Sequence, residues 1–356
     1  MSTLESITLT QFRNFPHARF SFREKIVGIT GLNGIGKTNL LDAIYYLCFT
    51  KSYFQSRDKY NVQHHQNGFR ISGIFMNGQS PEEVTCVWKD GKKTFSSGKV
   101  PYEKISEHIG KYSAVMIAPD DSDIITGSGE YRRKFFDGIL CLKEAGYLEH
   151  LLHYNKVLQQ KNAYLKMQYG SAPDHNLLNI YDAQLAAHGA FLIEKRMHLT
   201  SRLPEWVSHF YRQVSSNTEE APRIAYEPNT TDPAASYRNG RQRETEAKRT
   251  LWGPHLDDWS FFINDSHCKA HASQGQKKSF LISLKLSQIE LLSQSDIQPI
   301  LLLDDIFEKL DPVRLRNLFN LLQQQRFAQI FMTHTNAEDI MKFTKDIFKD
   351  IQIEAL

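Results

Sequence analysis

"GLNGIGKTN", residues Gly31–Asn39, decides how this chain is read. It fits G-x-x-x-x-G-K-[ST], the pattern of a loop that wraps nucleotide phosphates. The apolar stretch Lys25-Ile26-Val27-Gly28-Ile29-Thr30 precedes it, and "LLDAIYYLCF", which has helical spacing, follows it. Strand, glycine-rich turn and helix therefore come in the order that phosphate binding requires. Gly31, Gly34 and Gly36 let the backbone approach a polyphosphate and turn its N–H groups inward. Lys37 is expected to reach the β- and γ-phosphates, and the Thr38 hydroxyl to hold Mg²⁺. The expected ATP-binding stretch is Gly31, Leu32, Asn33, Gly34, Ile35, Gly36, Lys37, Thr38 and Asn39.

A second element lies far downstream. "PILLLDDIFEKLD" reads as an apolar strand ending in Asp304 and Asp305. Asp304 is placed to join the Mg²⁺ shell, and Asp305 to orient or deprotonate the attacking water. Lys37 and Asp305 are thus the candidate catalytic residues. The alternative, two acids that simply cap a buried strand, leaves a dry strand end holding two carboxylates without a cation, which is costly. The wide gap between Lys37 and Asp304 argues against small kinases and GTPase switches, whose motifs lie closer together. A guanine-reading N-K-x-D is also missing; the nearest string is "NKVL" at Asn155.

The third element, "HASQGQKKSF" (His271–Phe280), stands directly before a helical stretch. Ser273, Gln274, Gly275 and Gln276 read either as phosphate-directed donors at a helix N-terminus or as a plain helix cap. Phosphate loop, this loop and acidic strand follow the order of ABC-type ATPases. In that class the signature loop completes the nucleotide site of a second subunit.

Bulk properties narrow the field. Hydrophobic residues at 41% and charged residues at 23% are ordinary for a globular chain. A net charge of +3 leaves any nucleic-acid site to a local patch. Cys48, Cys86, Cys141 and Cys268 are far apart, which fits reduced thiols rather than a zinc site or disulfide framework. "MSTLESITLTQFRNF" lacks the layout of a signal peptide, and no apolar run is long enough for a membrane span. A cytoplasmic protein without a membrane partner is expected.

The fold class expected is α/β: an ATPase head with mixed sheets plus an α-helical arm. Residues 1–120 and 245–356 are assigned to a discontinuous head, and 121–244 to a mainly helical arm with a polar connection. The signature loop and helix, 265–290, are allowed to pack with the arm. Leucines of "YLEHLLHYNKVLQQKNAYLKM" fall near helical spacing in that arm, whereas 216–247 reads as a strand plus irregular connection. "KDGKKTF" carries the Asp-Gly of a tight hairpin.

These motifs resemble the RecF family, bacterial recombination-repair ATPases related to SMC and ABC ATPase heads. The resemblance runs from "LTQFRNF" (Leu9–Phe15) through "GLNGIGKTNLLDAI" and "TKSYFQSRD". It continues through "APDDSDIITGSGEYRRKFFD", "GPHLDDWSFFIN", "ASQGQKKSFLISLKLSQ" and "LLLDDIFEKLD". Pro119, Asp121, Gly127, Arg132, Arg133, Phe135 and Asp137 match the most specific stretch. Asp120, Ser122, Gly129, Leu256 and Glu308-Lys309 depart from the family pattern. The resemblance implies ATP-dependent dimerisation on DNA, slow hydrolysis and preference for gapped DNA or single-strand/double-strand junctions. It also implies cooperation with RecR and RecO in loading the strand-exchange recombinase.

Two other readings stay open: a motor subunit of a transporter, and a DNA clamp that binds ATP with little turnover. Transporter motors carry a Gly-Gly signature and shorter motif spacing. Candidate DNA-binding residues are Lys51, Arg57, Arg132, Arg133 and Lys134, with buried ion pairing the alternative for the 132–134 run.

Overall fold

The computed structural model describes residues 2–78, 80–167 and 174–356, without the side chain of Lys309. The chain divides into two compact units: 1–121 with 213–216 and 282–356, and 122–212 with 217–281.

The first unit begins with β1 (Ser2–Phe12), β2 (Phe15–Ser21) and β3 (Ile26–Thr30), and β3 leads through the phosphate loop into α1 (Lys37–Phe49). Next come β4 (Gly68–Asn77), β5 (Ser80–Lys89), β6 (Lys92–Ser97), β7 (Val100–Pro101) and β8 (Ala114–Ile117). The expected Asp-Gly hairpin joins β5 to β6, with φ of 50° at Asp90 and 79° at Gly91, as a tight turn between twisted strands needs.

The second unit holds α2 (Ser122–Thr126), α3 (Gly129–Lys143), α4 (Tyr147–Met167) and most of α5 (His175–Ser215). It continues with β9 (Pro222–Glu227), α6 (Pro233–Ala247), β10 (Asp258–Ile263), β11 (Ser266–His267), α7 (Cys268–His271) and the first residues of α8 (Gln274–Ser293). Completing the first unit are β12 (Ile300–Leu303), α9 (Ile306–Lys309), α10 (Pro312–Gln324), β13 (Gln329–His334), α11 (Ala337–Thr344) and β14 (Ile351–Ala355).

Two sheets build the first unit. One is antiparallel, in the order β2-β1-β4-β5-β6-β7; the other is parallel, in the order β14-β3-β13-β12-β8. Every residue of β3, β8, β12 and β13 is buried, as expected where both faces of a parallel sheet are covered. Helix α1 buries Leu40, Leu41, Ala43, Ile44, Tyr46 and Leu47. Those side chains share one core with Ile7, Leu9 and Phe75 of the first sheet and Val27, Leu302 and Phe331 of the second. A helix apolar nearly all round is stable only in such a sandwiched place. Gln329 joins the sheets. Its side chain accepts from Leu4 N–H at 2.9 Å and donates to Leu4 O at 3.3 Å and Glu24 O at 3.1 Å.

The second unit corrects two expectations. Residues 245–264 group with the helical arm rather than with the head, and 265–281, for which the sequence leaves packing with the arm open, group there as well. The physical reason is Arg196 of α5, which donates to both Asp137 oxygens at 3.0 and 2.9 Å, to Asp257 at 2.8 Å and to Pro254 O at 2.6 Å. Trp259 also packs on Phe136, ring centroids 4.3 Å apart, while β10 pairs with β9. The second correction concerns 233–247, which is helix α6 rather than irregular chain. Asp232 accepts from Ala235 N–H as N-cap and Pro233 opens the helix. Its buried positions, Pro233, Tyr237, Gly240 and Glu244, have helical spacing but only one large apolar side chain.

Candidate nucleotide-binding site

Gly34 has φ of +84° and Gly36 of +121°, left-handed values that favour glycine. At Gly36 a Cβ would also stand 2.6 Å from the Asn14 side chain and 2.8 Å from the Phe15 ring. The loop is held from outside by β1 and its turn. Asn14 donates to Ile35 O at 2.6 Å, Asn39 donates to Asn14 at 2.7 Å, and Arg13 donates to Asn39 at 2.6 Å. Arg13 also pairs with Asp42, which is fully buried. Arg13 and Asn14 do not stand out as site residues in the sequence, although "LTQFRNF" runs through them. Their role needs the strand turn and α1 brought together, which no spacing displays.

Lys37 is 6% exposed, and its ammonium donates to Gly31 O at 2.7 Å and Leu32 O at 3.1 Å. Its charge therefore sits inside the loop. Leu32, by contrast, is 81% exposed. Thr38 donates to both Asp304 oxygens, at 2.9 and 3.0 Å. The loop and the acidic strand, so distant in sequence, meet because β3 and β12 flank β13 in the parallel sheet.

Asp304 is 4% exposed, and burial pushes its carboxyl up to about 6. Hydrogen bonds from Thr333 and Thr38 oppose that rise, and the neighbouring Asp305 charge adds to it. Asp305 has a left-handed backbone, φ 47° and ψ 33°, and its N–H donates to Thr333 Oγ1 at 2.9 Å. Asp305 Oδ1 is buried without a hydrogen-bond partner, as is His334 Nδ1, while His334 Nε2 lies 3.1 Å from Asp339. A hydroxyl and two carboxylates on a dry strand end, with a lysine charge in the adjoining loop, make a donor set suited to a hard dication and phosphate oxygens.

The relatives decide the family. The profile for the RecF/RecN/SMC N terminal domain matches residues 3–352. "DNA replication and repair protein RecF" of Cytophaga hutchinsonii is 37% identical over 354 residues, 98% of this chain and 94% of that protein. Its namesake in Flavobacterium johnsoniae is 37% identical over 356 residues, 97% of this chain and 98% of that protein. The chain belongs to the RecF family. A solved structure described as the recombination mediator protein RecF with ATP in the RecFOR pathway aligns at TM-score 0.87 and 28% identity. That alignment covers 95% of this chain and 93% of the other. An Smc head domain from Pyrococcus furiosus shares the fold at TM-score 0.55 and 14% identity, over 96% and 92% of the two chains. The architecture is thus the RecF and SMC ATPase head.

Within this RecF-family chain, Ser273 forms a capping box on α8. Its Oγ accepts from Gln276 N–H at 3.2 Å, and its N–H donates to Gln276 Oε1 at 2.7 Å. Gln276 donates onward to Glu220 at 2.9 Å, while Ser273 and Gln274 are exposed. The helix-cap alternative is therefore realised in the single chain, with an exposed tip.

The DNA candidates separate sharply. Arg132 is 7% exposed and donates to Asp258 at 2.6 and 3.0 Å, to Ile124 O and to Gly127 O. This corrects the expectation of a DNA contact at Arg132: the ion-pair alternative holds, because its charge is spent on the fold. Arg133 donates to Asp257 O at 2.6 Å and is partly buried. Lys51, Arg57 and Lys134 are exposed. Among the described residues no helix is long and apolar enough to cross a membrane.

Proposed function

We propose that this chain is an ATP-dependent DNA-binding protein of recombinational repair and replication-fork maintenance. The observation that carries it is Thr38 on both oxygens of Asp304, beside the unpartnered carboxylate oxygen of Asp305. Bound Mg²⁺–ATP supplies an electrophilic γ-phosphorus and a dication that takes up the strand-end charge. Lys37, now on Gly31 O and Leu32 O, would exchange these carbonyl partners for phosphate oxygens. Thr38 and Asp304 would hold the metal, and Asp305 would orient water at its unpartnered oxygen. The exposed Ser273 tip, with the N–H groups of Gln274 and Gly275, completes the site of a second copy, so that ATP acts as a clasp. Lys51, Arg57 and Lys134 are the retained candidates for DNA phosphates at gapped or junction DNA. The RecFOR pathway named for the solved relative supports partnership with RecR and RecO, and slow, DNA-stimulated hydrolysis is part of the same proposal. A clamp with little turnover is the second reading, favoured by the short Asp305 side chain, whose backbone is tied to Thr333.

Sedimentation with ATP and Mg²⁺, with ADP and without nucleotide tests the clasp. The wild type is expected to dimerise only with ATP. Ser273→Arg is expected to keep ATP affinity within about twofold and to remain monomeric, because a cap facing solvent gains nothing from its own nucleotide. Dimerisation of Ser273→Arg, or loss of ATP binding by its monomer, overturns the shared-site reading.

A further inference from the structure

Lys285 lies three turns into α8 and is 2% exposed, an unusual place for an ammonium. It donates to Met116 O at 2.7 Å and to the Tyr53 hydroxyl at 3.2 Å, and it stands 3.1 Å from Asp121 Oδ2. Met116 belongs to β8, the strand paired with the acidic strand β12, at the register Leu302↔Met116. Asp121 is itself 4% exposed and accepts from Ala118 N–H at 2.7 Å.

The other end of this cluster reaches the phosphate loop. The Tyr53 hydroxyl donates to Asp121 Oδ1, and the Tyr53 N–H donates to Asp42 Oδ1 at 2.7 Å. Asp42 pairs with Arg13, and Arg13 donates to Asn39, the residue after Thr38. A path of hydrogen bonds thus runs Asn39, Arg13, Asp42, Tyr53, Asp121, Lys285, crossing Tyr53 from its backbone N–H to its hydroxyl, wholly inside the first unit. Its members come from β1 and its turn, α1, the segment after α1, the start of the chain beyond β8, and α8.

Packing alone does not call for this path. Its neighbours on α8, Leu284, Leu286 and Ile289, are fully buried and apolar, and a buried ion pair can often be replaced by apolar side chains without loss of stability. A lysine here has to be desolvated, and burial accordingly lowers its proton affinity while Asp121 restores part of it. A charged path of fixed geometry does what apolar packing does not: it makes the place of one helix depend on the hydrogen bonds of another.

We propose that Lys285 is a positioning residue that links the nucleotide state of the phosphate loop to helix α8, through Asp121, Tyr53, Asp42 and Arg13. When phosphate oxygens draw on the loop, Asn39 and Arg13 adjust, and the adjustment is delivered to the middle of the helix that begins just after Ser273. The inference rests on the nucleotide reading given above.

Hydrogen exchange, with and without ATP and Mg²⁺, separates the two. It is run at a concentration where sedimentation shows monomers, so that a second copy plays no part. In the wild type, ATP is expected to slow exchange about tenfold or more both in 31–41 and in 280–290. Tyr53→Phe removes one hydroxyl and no packing volume; Lys285→Met removes the charge. Both are expected to keep the slowing at the phosphate loop within about twofold and to lose most of the slowing in α8. The double variant is expected to lose no more than Lys285→Met alone, since both act on one path. If Lys285→Met does not fold, Tyr53→Phe alone decides the question. Wild-type slowing confined to the phosphate loop, or full slowing of α8 in a folded Tyr53→Phe, overturns the role of Lys285 and leaves nucleotide binding standing. Absence of slowing at the wild-type phosphate loop overturns the nucleotide reading and this inference with it.

Discussion

Arg196 of the second unit and Asp304 of the first are both almost wholly buried, yet the protein treats their charges differently. Arg196 is met by Asp137, Asp257 and the Pro254 carbonyl, and in the same unit Arg132 is met by Asp258 and Lys161 by Glu244 at 2.6 Å. Asp304 is met by two neutral hydroxyls and stands beside another carboxylate that has an unpartnered oxygen. Paired charge in the second unit is architecture, with each cation holding elements of the fold together. At the strand end the Asp304 charge has hydroxyls and a lysine in the adjoining loop but no ion-pair partner, and on the proposed reading that is where a cation binds. The pair teaches that burial of a charged group does not identify a site; the missing partner does.

Breaking the paired side has the largest expected effect. Arg196→Met strips the cation from Asp137 and Asp257, and the loss of stability is expected to be about 3–5 kcal/mol, read by denaturant unfolding. A loss below about 1 kcal/mol removes the distinction drawn between the two units.

The unpaired side is expected to respond with the opposite sign. Asp304 binds its proton more tightly in the folded state, so its contribution is fully present below the ordinary carboxylate range and is lost as pH rises through about 6. Holding the charge at pH 7.5 without a cation therefore costs on the order of 3 kcal/mol. Asp304→Asn is expected to raise the thermal midpoint of the nucleotide-free protein at pH 7.5, and the gain is expected to vanish near pH 4. The same variant is expected to lose Mg²⁺-dependent ATP binding. A lowered midpoint at pH 7.5 shows that the carboxylate serves the fold.

The smallest effect separates exposed from buried cations in the DNA reading. Lys51→Ala and Arg57→Ala are each expected to flatten the salt dependence of duplex binding, by about 0.9 for every DNA phosphate no longer neutralised. Arg132→Lys, which keeps the charge but not the paired geometry on Asp258, is expected to leave that slope unchanged and to lower stability. A changed slope in Arg132→Lys and none in the other two reverses the assignment.

Much of this is legible in the sequence. The strand, glycine loop and helix around Lys37 stand out because each needs a residue type that spacing exposes, and "PILLLDD" reads as a buried strand whatever surrounds it. Beside Arg13 and Asn14, three features are hidden, each for its own reason. The 245–264 segment belongs with the arm through Asp257 and Trp259, whose partners, Arg196 and Phe136, lie far back in the chain. Helix α6 has its cap and proline in plain view, but its buried face is made of Tyr237, Gly240 and Glu244 rather than leucines. Arg132 reads as a phosphate ligand because a run of basic residues says nothing of which one turns inward.

The order of strands in the parallel sheet has a consequence for how the protein is made. β3, which carries the phosphate loop, lies between β13 and β14, while Thr38 needs Asp304 beyond β12. Those partners are synthesised roughly 270 residues later, which at about 5–20 residues per second is an interval of some tens of seconds. During that interval the ribosome has already released most of the second unit, whose own strands and helices are nearly contiguous in sequence. Most of the arm is therefore out of the ribosome before the sheet that supports the glycine loop is complete.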